Sequence, residues 1–340
     1  MQHKYMSVAS LAIITDAWKP QVNGVVKTLH QTRDALSRSG YRVSMLTPAD
    51  HKTIACPSYP EIRLALRPGQ TIRRQLDTLK PDHIHIATEG PLGLAARRFC
   101  LSNGLAFTTS YHTQFPEYVR KRLPIPLSMT YSFVRRFHKP AERTMVATPS
   151  QQRLLEHWRF KNIVRWSRGV DTDLFRPENR AGLNVKRPLF VYTGRVAVEK
   201  NIEAFLELDL PGTRCVIGDG PALEELKNRY TDVLFTGYKF GQDLASHVAA
   251  ADVFVFPSHT DTFGLVMLEA MASGVPVAAY PVTGPVDVVT HGETGILDQD
   301  LRKAALQALE LDRNRCREEA MKYTWQAASR QFMDNLVPVC

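Results

Sequence analysis

Residues 253–276 read VFVFPSHTDTFGLVMLEAMASGVP. The first four are apolar and β-prone without alternation, as in a strand covered on both faces. Pro257 to Thr262 is rich in Ser, Thr and Asp and reads as a turn. A helix-favouring apolar run opens at Phe263-Gly264 and continues over 265–273. A further apolar run at 276–279 makes this one strand–helix–strand unit of a parallel α/β sheet.

The same alternation extends outward in both directions. Strands are predicted at 189–192, 214–217 and 233–235, with helices at 222–229 and 242–250. Upstream, strands are predicted at 8–14, 42–46, 83–86 and 107–110, and helices at 28–39 and 92–101. A Gly/Pro-rich joint containing Gly169, Pro177, Gly182 and Pro188 separates the two series. The expected organisation is two Rossmann-like, doubly wound parallel-sheet domains facing a central cleft. They span 1–167 and 189–315, with an interdomain segment at 168–188. A helical stretch at 316–340, carrying Trp325 and Phe332, is expected to return to the first domain. In such sheets ligands bind beyond the carboxyl ends of strands.

Composition fits two ordinary globular cores. The chain has 340 residues, 44% hydrophobic and 23% charged. No run of about 18 uncharged apolar residues occurs, so no transmembrane helix is expected. The N-terminal apolar run reads as a first strand and not as a signal peptide, which predicts a cytoplasmic chain. The cysteines at 56, 100, 215, 316 and 340 contain no C-x-x-C pair, so neither a disulfide framework nor structural zinc is expected.

Charge is uneven. Residues 1–165 carry 25 lysines and arginines against 10 acids, and residues 166–340 carry 18 against 24. A basic first half suits an anionic partner, whether nucleic acid, anionic lipid or a phosphorylated substrate, or it is a solubilising surface. No recognised nucleic-acid-binding module is present, so nucleic acid is not expected as a partner. The sequence leaves oligomeric state open.

Asp261 and Glu269 lie eight apart, one in the turn and one about two helical turns on. Carboxylates suit vicinal diols, because each oxygen accepts a hydroxyl hydrogen bond. Backbone N–H groups at the helix start suit an anion or a hydroxyl. The alternative reading is a capped helix with a buried glutamate.

With its flanks, this segment resembles the nucleotide-sugar motif of the family 4 glycosyltransferases, which have the GT-B fold and retain anomeric configuration. Their E-x7-E pattern stands here as Asp261-x7-Glu269, with aspartate in the first place. The resemblance implies that Glu269 holds the donor ribose. It also implies that Asp261, with the amides of Phe263 and Gly264, holds the transferred sugar, and that Leu265 belongs to the donor-binding set. Other positions match in order. Gly194-Arg195 and Lys200 would clamp the donor diphosphate, supplying fixed positive charge without a metal or other cofactor. Asn23-Gly24-Val25 resembles the family's glycine loop, where Gly24 would let the backbone approach phosphate and sugar. His112 would touch the donor sugar. Gly218, in Gly218-Asp219-Gly220-Pro221, would line the nucleotide pocket, and Tyr238 and Lys239 would lie near the base. The catalytic set implied is His112, Arg195, Lys200 and Asp261. The third glycine of a dinucleotide fingerprint is missing after Gly220, which argues against a nicotinamide dehydrogenase. Asp171-Thr172-Asp173 forms a D-x-D, but it sits in a segment resembling the family's interdomain stretch and reads as hinge structure.

The acceptor is expected on the basic first domain. The stretch 118–139 carries Arg120, Lys121, Arg122, Arg135, Arg136, His138 and Lys139 among apolar and aromatic residues. Pro124 and Pro126 allow a helix only from about Leu127. Such a stretch either lies in an anionic membrane interface or packs on its own domain. The sequence is similar to bacterial glycolipid synthases and mannosyl-lipid transferases. That similarity implies UDP-glucose or UDP-glucuronic acid as donor and a lipid such as diacylglycerol as acceptor, at the inner membrane face. The alternative is a GDP-mannose-dependent alpha-mannosyltransferase acting on a lipid or polysaccharide precursor.

Overall fold

A computed structural model describes residues 9–56 and 59–339; the side chains of residues 59–61, 118, 121, 122 and 179 lie outside the described set. Two six-stranded parallel sheets dominate. In spatial order the first holds Arg42–Leu46, Ser10–Ile14, His83–Ile86, Thr108–Ser110, Arg143–Val146 and Ile163–Arg165. The second holds Leu234–Phe235, Thr213–Ile217, Leu189–Thr193, Val253–Phe256, Val277–Ala279 and Gly295–Leu297. This is the GT-B architecture.

The central strands explain themselves. Leu189–Thr193 and Val253–Phe256 are buried at every position, as a sheet covered by helices on both faces requires. They lie side by side although about sixty residues separate them, because the strand order reverses there. A crevice opens at such a reversal, beyond the carboxyl ends of the two strands. The chain there is Gly194-Arg195 on one side and Pro257 to Gly264 on the other.

Several elements differ from expectation at their ends. The first helix runs Gly24–Arg38, four residues earlier than periodicity placed it. The Asn23 side chain accepts from the Val25 and Val26 amides, so Asn23-Gly24 is a cap and first turn rather than a free loop. The helix after the key turn starts at Leu265, because Gly264 stands in the left-handed region at φ 84°. Hydrophobic patterning missed the hairpin Thr53–Cys56 with Tyr59–Ala65, helices Gly69–Leu79 and Phe115–Arg122, and strands Arg143–Val146 and Gly295–Leu297.

The C-terminal stretch is three helices, Leu301–Ala308, Arg313–Ala320 and Trp325–Asp334. The expected boundary at 315 cuts the second of these. Its Cys316 and Ala320 belong to the core of the second domain. The crossing begins later, at Tyr323-Thr324. There the Val170 amide donates to the Tyr323 carbonyl, and Gly169 lies so close that a Cβ would meet the Trp325 nitrogen at 2.3 Å. Helix Trp325–Asp334 then packs on the first sheet, with Phe332 among Leu11, Ile13 and Trp166. Asp171 caps its own turn, accepting from the Leu174 amide at 3.0 Å.

Candidate active site

Three loops at the carboxyl ends of the second sheet interlock. The Val196 amide donates to the Asp219 carbonyl, and the Gly218 amide to the Gly237 carbonyl. A Cβ on Gly218 would stand 1.9 Å from the Gly194 carbonyl oxygen, and one on Gly220 2.3 Å from that of Val196. Gly218 therefore acts first as a packing residue, holding the Gly194-Arg195 turn in place. Arg195 is half-buried, and its carbonyl accepts the Tyr192 hydroxyl at 3.0 Å.

Lys200 ends the short turn Val198–Lys200, and its Nζ lies 2.6 Å from Asp261 Oδ1. Neighbouring bonds stitch the same two loops. Asn201 Nδ2 donates to the Pro257 carbonyl at 3.0 Å, and the Thr260 hydroxyl to the Glu199 carbonyl at 3.4 Å. Asp261 Oδ2 is buried without a protein partner. The shorter carboxylate is thus held in the cleft by a cation from the adjacent loop.

Glu269 is buried in helix Leu265–Ala272 and forms an ion pair with Lys27 of the first domain. Lys27 was not singled out by sequence reasoning. The available signal was its place one turn after Gly24. Gly24 faces the same helix: a Cβ there would lie 3.7 Å from Leu265 Cδ1, an ordinary contact. Two helix N-termini, Gly24–Arg38 and Leu265–Ala272, therefore meet across the cleft, and both direct positive dipole ends into it.

His112 follows strand Thr108–Ser110. Its carbonyl accepts the Thr262 hydroxyl at 2.8 Å, tying the first domain to the key turn of the second. Arg168 Nη2 lies 3.2 Å from its Nδ1. Burial, then the Arg168 cation, then His85 and His138 hold its pKa well below the ordinary histidine value, so the imidazole is neutral. Thr262 and Arg168 were likewise not picked out beforehand.

Other expected residues are less central. Phe263 packs into the second core and meets Tyr323 edge-on. Tyr238 is exposed and stacks on Phe240, and Lys239 pairs with Asp243 at 3.0 Å, past the edge strand Leu234–Phe235. Together, His112, Asp261, Lys200, Gly24 and Glu269 line one cleft at the strand-order reversal, and Arg195 stands in the loop that leaves strand Leu189–Thr193 there.

Residues 22–174 match the family described as Glycosyltransferase Family 4, and residues 187–311 that described as Glycosyl transferases group 1. A GDP-mannose-dependent alpha-mannosyltransferase of Mycolicibacterium smegmatis is 30% identical over 328 residues, covering 88% of this chain and 87% of the relative. The chain belongs to the family 4 glycosyltransferases. This glycosyltransferase is also 33% identical over 312 residues to a sulfoquinovosyl transferase of Arabidopsis thaliana, covering 83% of the chain but only 61% of the plant protein. It is 27% identical over 343 residues to an alpha-monoglucosyldiacylglycerol synthase of Streptococcus pneumoniae, covering 88% and 78%. Among solved structures, sucrose-phosphate synthase from Thermosynechococcus elongatus superposes with a TM-score of 0.76 at 22% identity, over 96% of this chain and 98% of that one. That likeness concerns the fold alone. The family and these relatives make the chain a hexosyltransferase.

Proposed function

We propose that this glycosyltransferase moves a hexose or uronic acid from UDP-glucose or UDP-glucuronic acid to a lipid such as diacylglycerol, at the cytoplasmic membrane face and with anomeric retention. The observation that carries the donor half is the convergence of Arg195, Lys200, Asp261 and Glu269 at one crevice, opposite Gly24 and His112. In this reading Arg195 and Lys200 neutralise the leaving diphosphate, so Lys200 shares itself between Asp261 and phosphate. Glu269 exchanges Lys27 for the ribose hydroxyls. Asp261 and His112 orient the sugar, and the departing phosphate accepts the acceptor's proton. Two fixed cations supply charge that a divalent ion supplies elsewhere, and transfer is expected to persist in a chelator.

The lipid half rests on a surface. Helix Leu127–His138 buries Tyr131, Val134 and Phe137 against its own domain while Met129 and Phe133 stay 64% and 57% exposed. Phe115 and Leu123 are exposed beside them, and Arg120, Arg136 and Lys139 are exposed cations. The two readings of this stretch are therefore two faces of one element. Arg135 is a correction: it is half-buried and donates to the Trp158 carbonyl at 3.1 Å, so it does not belong to the outward face. Lys121 and Arg122, also expected there, have side chains outside the described residues. No described helix is long and apolar enough to cross a membrane. A pneumococcal relative named as a glucosyldiacylglycerol synthase supports a lipid acceptor.

The second reading, mannosyl transfer from GDP-mannose, is supported by the mycobacterial relative of that name. One experiment decides. The protein is incubated with membranes and a panel of UDP- and GDP-sugars, and any new glycolipid is identified by mass. A mannolipid formed only from GDP-mannose overturns the first reading; no lipid product from any donor overturns the lipid acceptor, and no transfer from GDP-mannose to either a lipid or a polysaccharide precursor overturns the second.

A further inference from the structure

Arg168 is 4% exposed, yet its partners are not anions. Nη1 donates to the carbonyls of Trp166 at 2.6 Å and Ser167 at 3.1 Å, and Cζ lies 4.3 Å from the centroid of the Trp166 ring. The remaining contact is Nη2 to His112 Nδ1 at 3.2 Å. Burial pulls the guanidinium pKa down only to about 9, so it stays charged at neutral pH. A cation buried without a counter-charge costs stability and calls for a reason.

The contact with His112 supplies one. Arginine has donors only, so the His112 nitrogen that faces it must accept. The proton of the neutral ring then sits on Nε2. That atom is buried and has no protein partner. We propose that Arg168 is the positioning residue that fixes His112 as the neutral Nε2–H tautomer, so that the ring meets the transferred sugar as a hydrogen-bond donor. The sugar contact rests on the function proposed above; the tautomer does not.

The groups around His112 agree. His85, from strand His83–Ile86, spends both ring nitrogens on Thr108 at 2.8 Å and Ser110 at 2.7 Å. His138, from helix Leu127–His138, spends its own on Thr109 at 2.9 Å and Glu89 at 3.1 Å. Trp166 packs edge-on, 5.6 Å between ring centroids. From the second domain, Thr262 binds the His112 carbonyl, and Asp261, next in the chain, is held by Lys200. Arg168 is the group that reaches Nδ1.

The test is the ring nitrogen resonances of His112 in 15N-labelled protein between pH 5.5 and 8, assigned with His112→Gln. The expected result is a protonated Nε2, an unprotonated Nδ1 and no titration across the range. In Arg168→Met, tautomers mix, the ring titrates, and kcat falls about 10-fold with a new acid limb. Arg168→Lys, which keeps charge and donor, restores the single tautomer in part. A protonated Nδ1 or an imidazolium in the wild type overturns the proposal, even if Arg168→Met fails to fold. An Arg168→Met spectrum and pH profile identical to wild type overturn it too. The expected tautomer together with normal transfer by His112→Ala sustains the Arg168 assignment and removes His112 from the proposed sugar site.

Discussion

Lys200 Nζ and Asp261 Oδ1 stand 2.6 Å apart, from loops that follow neighbouring strands of the second sheet. Both side chains are about four-fifths covered, so solvent screens the pair less than a surface pair. Lys200→Ala is expected to lower turnover by about 10²–10³-fold, the usual loss of one preorganised charge-stabilising group. The structural cost is one part-buried carboxylate left without its cation, about 1–3 kcal/mol. Steady-state kinetics beside calorimetry separates the two. Near-normal transfer by the variant would remove Lys200 from the mechanism.

Two glycines should behave in opposite ways. Gly218→Ala drives a methyl into the Gly194 carbonyl at φ 153° and is expected to destabilise the fold by about 2–4 kcal/mol. Gly24→Ala meets only Leu265, at ordinary contact distance, and should unfold at the wild-type temperature. Its damage should appear in donor KM, if the backbone there approaches phosphate. Melting curves and donor titrations on the two variants check both claims.

Glu269 is the buried carboxylate of helix Leu265–Ala272, proposed above to hold the donor ribose. Glu269→Gln keeps the shape and removes the charge. A hydrogen bond to a charged group contributes about 1.5–3 kcal/mol, so nucleoside diphosphate affinity should fall about 10–100-fold. Calorimetric titration with ribose and 2′-deoxyribose nucleotides should show the variant discriminating less between them. Equal discrimination in both proteins would free Glu269 of that role.

The exposed face of helix Leu127–His138 predicts salt-sensitive binding to vesicles. Met129→Ser with Phe133→Ser removes apolar area without touching the inward residues Tyr131 and Val134. Arg120→Ser with Arg136→Ser removes about 1 kcal/mol of attraction per cation near an anionic surface. Each double variant should sediment less with anionic vesicles at low salt. Wild-type protein that ignores such vesicles would sink the membrane reading.

Two buried histidines set an acid limit on stability. Burial, aided by the Arg168 cation, pushes His85 down to about 3, and His112 also lies well below its ordinary value. Unfolded, both take up protons near pH 6.5. Below that pH the unfolded chain binds more protons than the native one, so stability falls as pH falls. Between about pH 6 and 5 His85 alone costs up to roughly 1.4 kcal/mol per pH unit, and His112 acts in the same direction. Denaturant midpoints measured from pH 7.5 to 5.5 should stay flat above about 6.5 and then drop. A flat curve throughout would contradict the assigned neutral states.

The sequence was most readable where one period dominates. Val253–Phe256 is apolar without a break, and its ends coincide with those read from pattern alone. Leu127 opens its helix because Pro124 and Pro126 forbid an earlier start. Short strands such as Arg143–Val146 were lost, since four residues of mixed polarity carry no period. The helix at Gly24 began early because Asn23 caps it, a local hydrogen bond that overrides the apolar pattern. In the site, Asp261, Glu269, His112, Arg195, Lys200 and Gly24 were legible from the quoted motifs. Lys27, Thr262 and Arg168 were not, because each acts through a partner between 56 and 242 positions away.

Helix Trp325–Asp334 closes the core that Leu11 and Ile13 begin. During synthesis, the first sheet can therefore be laid down early, yet it keeps an open apolar furrow until Phe332 has been added and swung back. The intervening second domain can finish around its own core in the meantime. Order of folding is then not order of translation: the domain made first is completed last, and any chaperone that guards this chain has that furrow to cover.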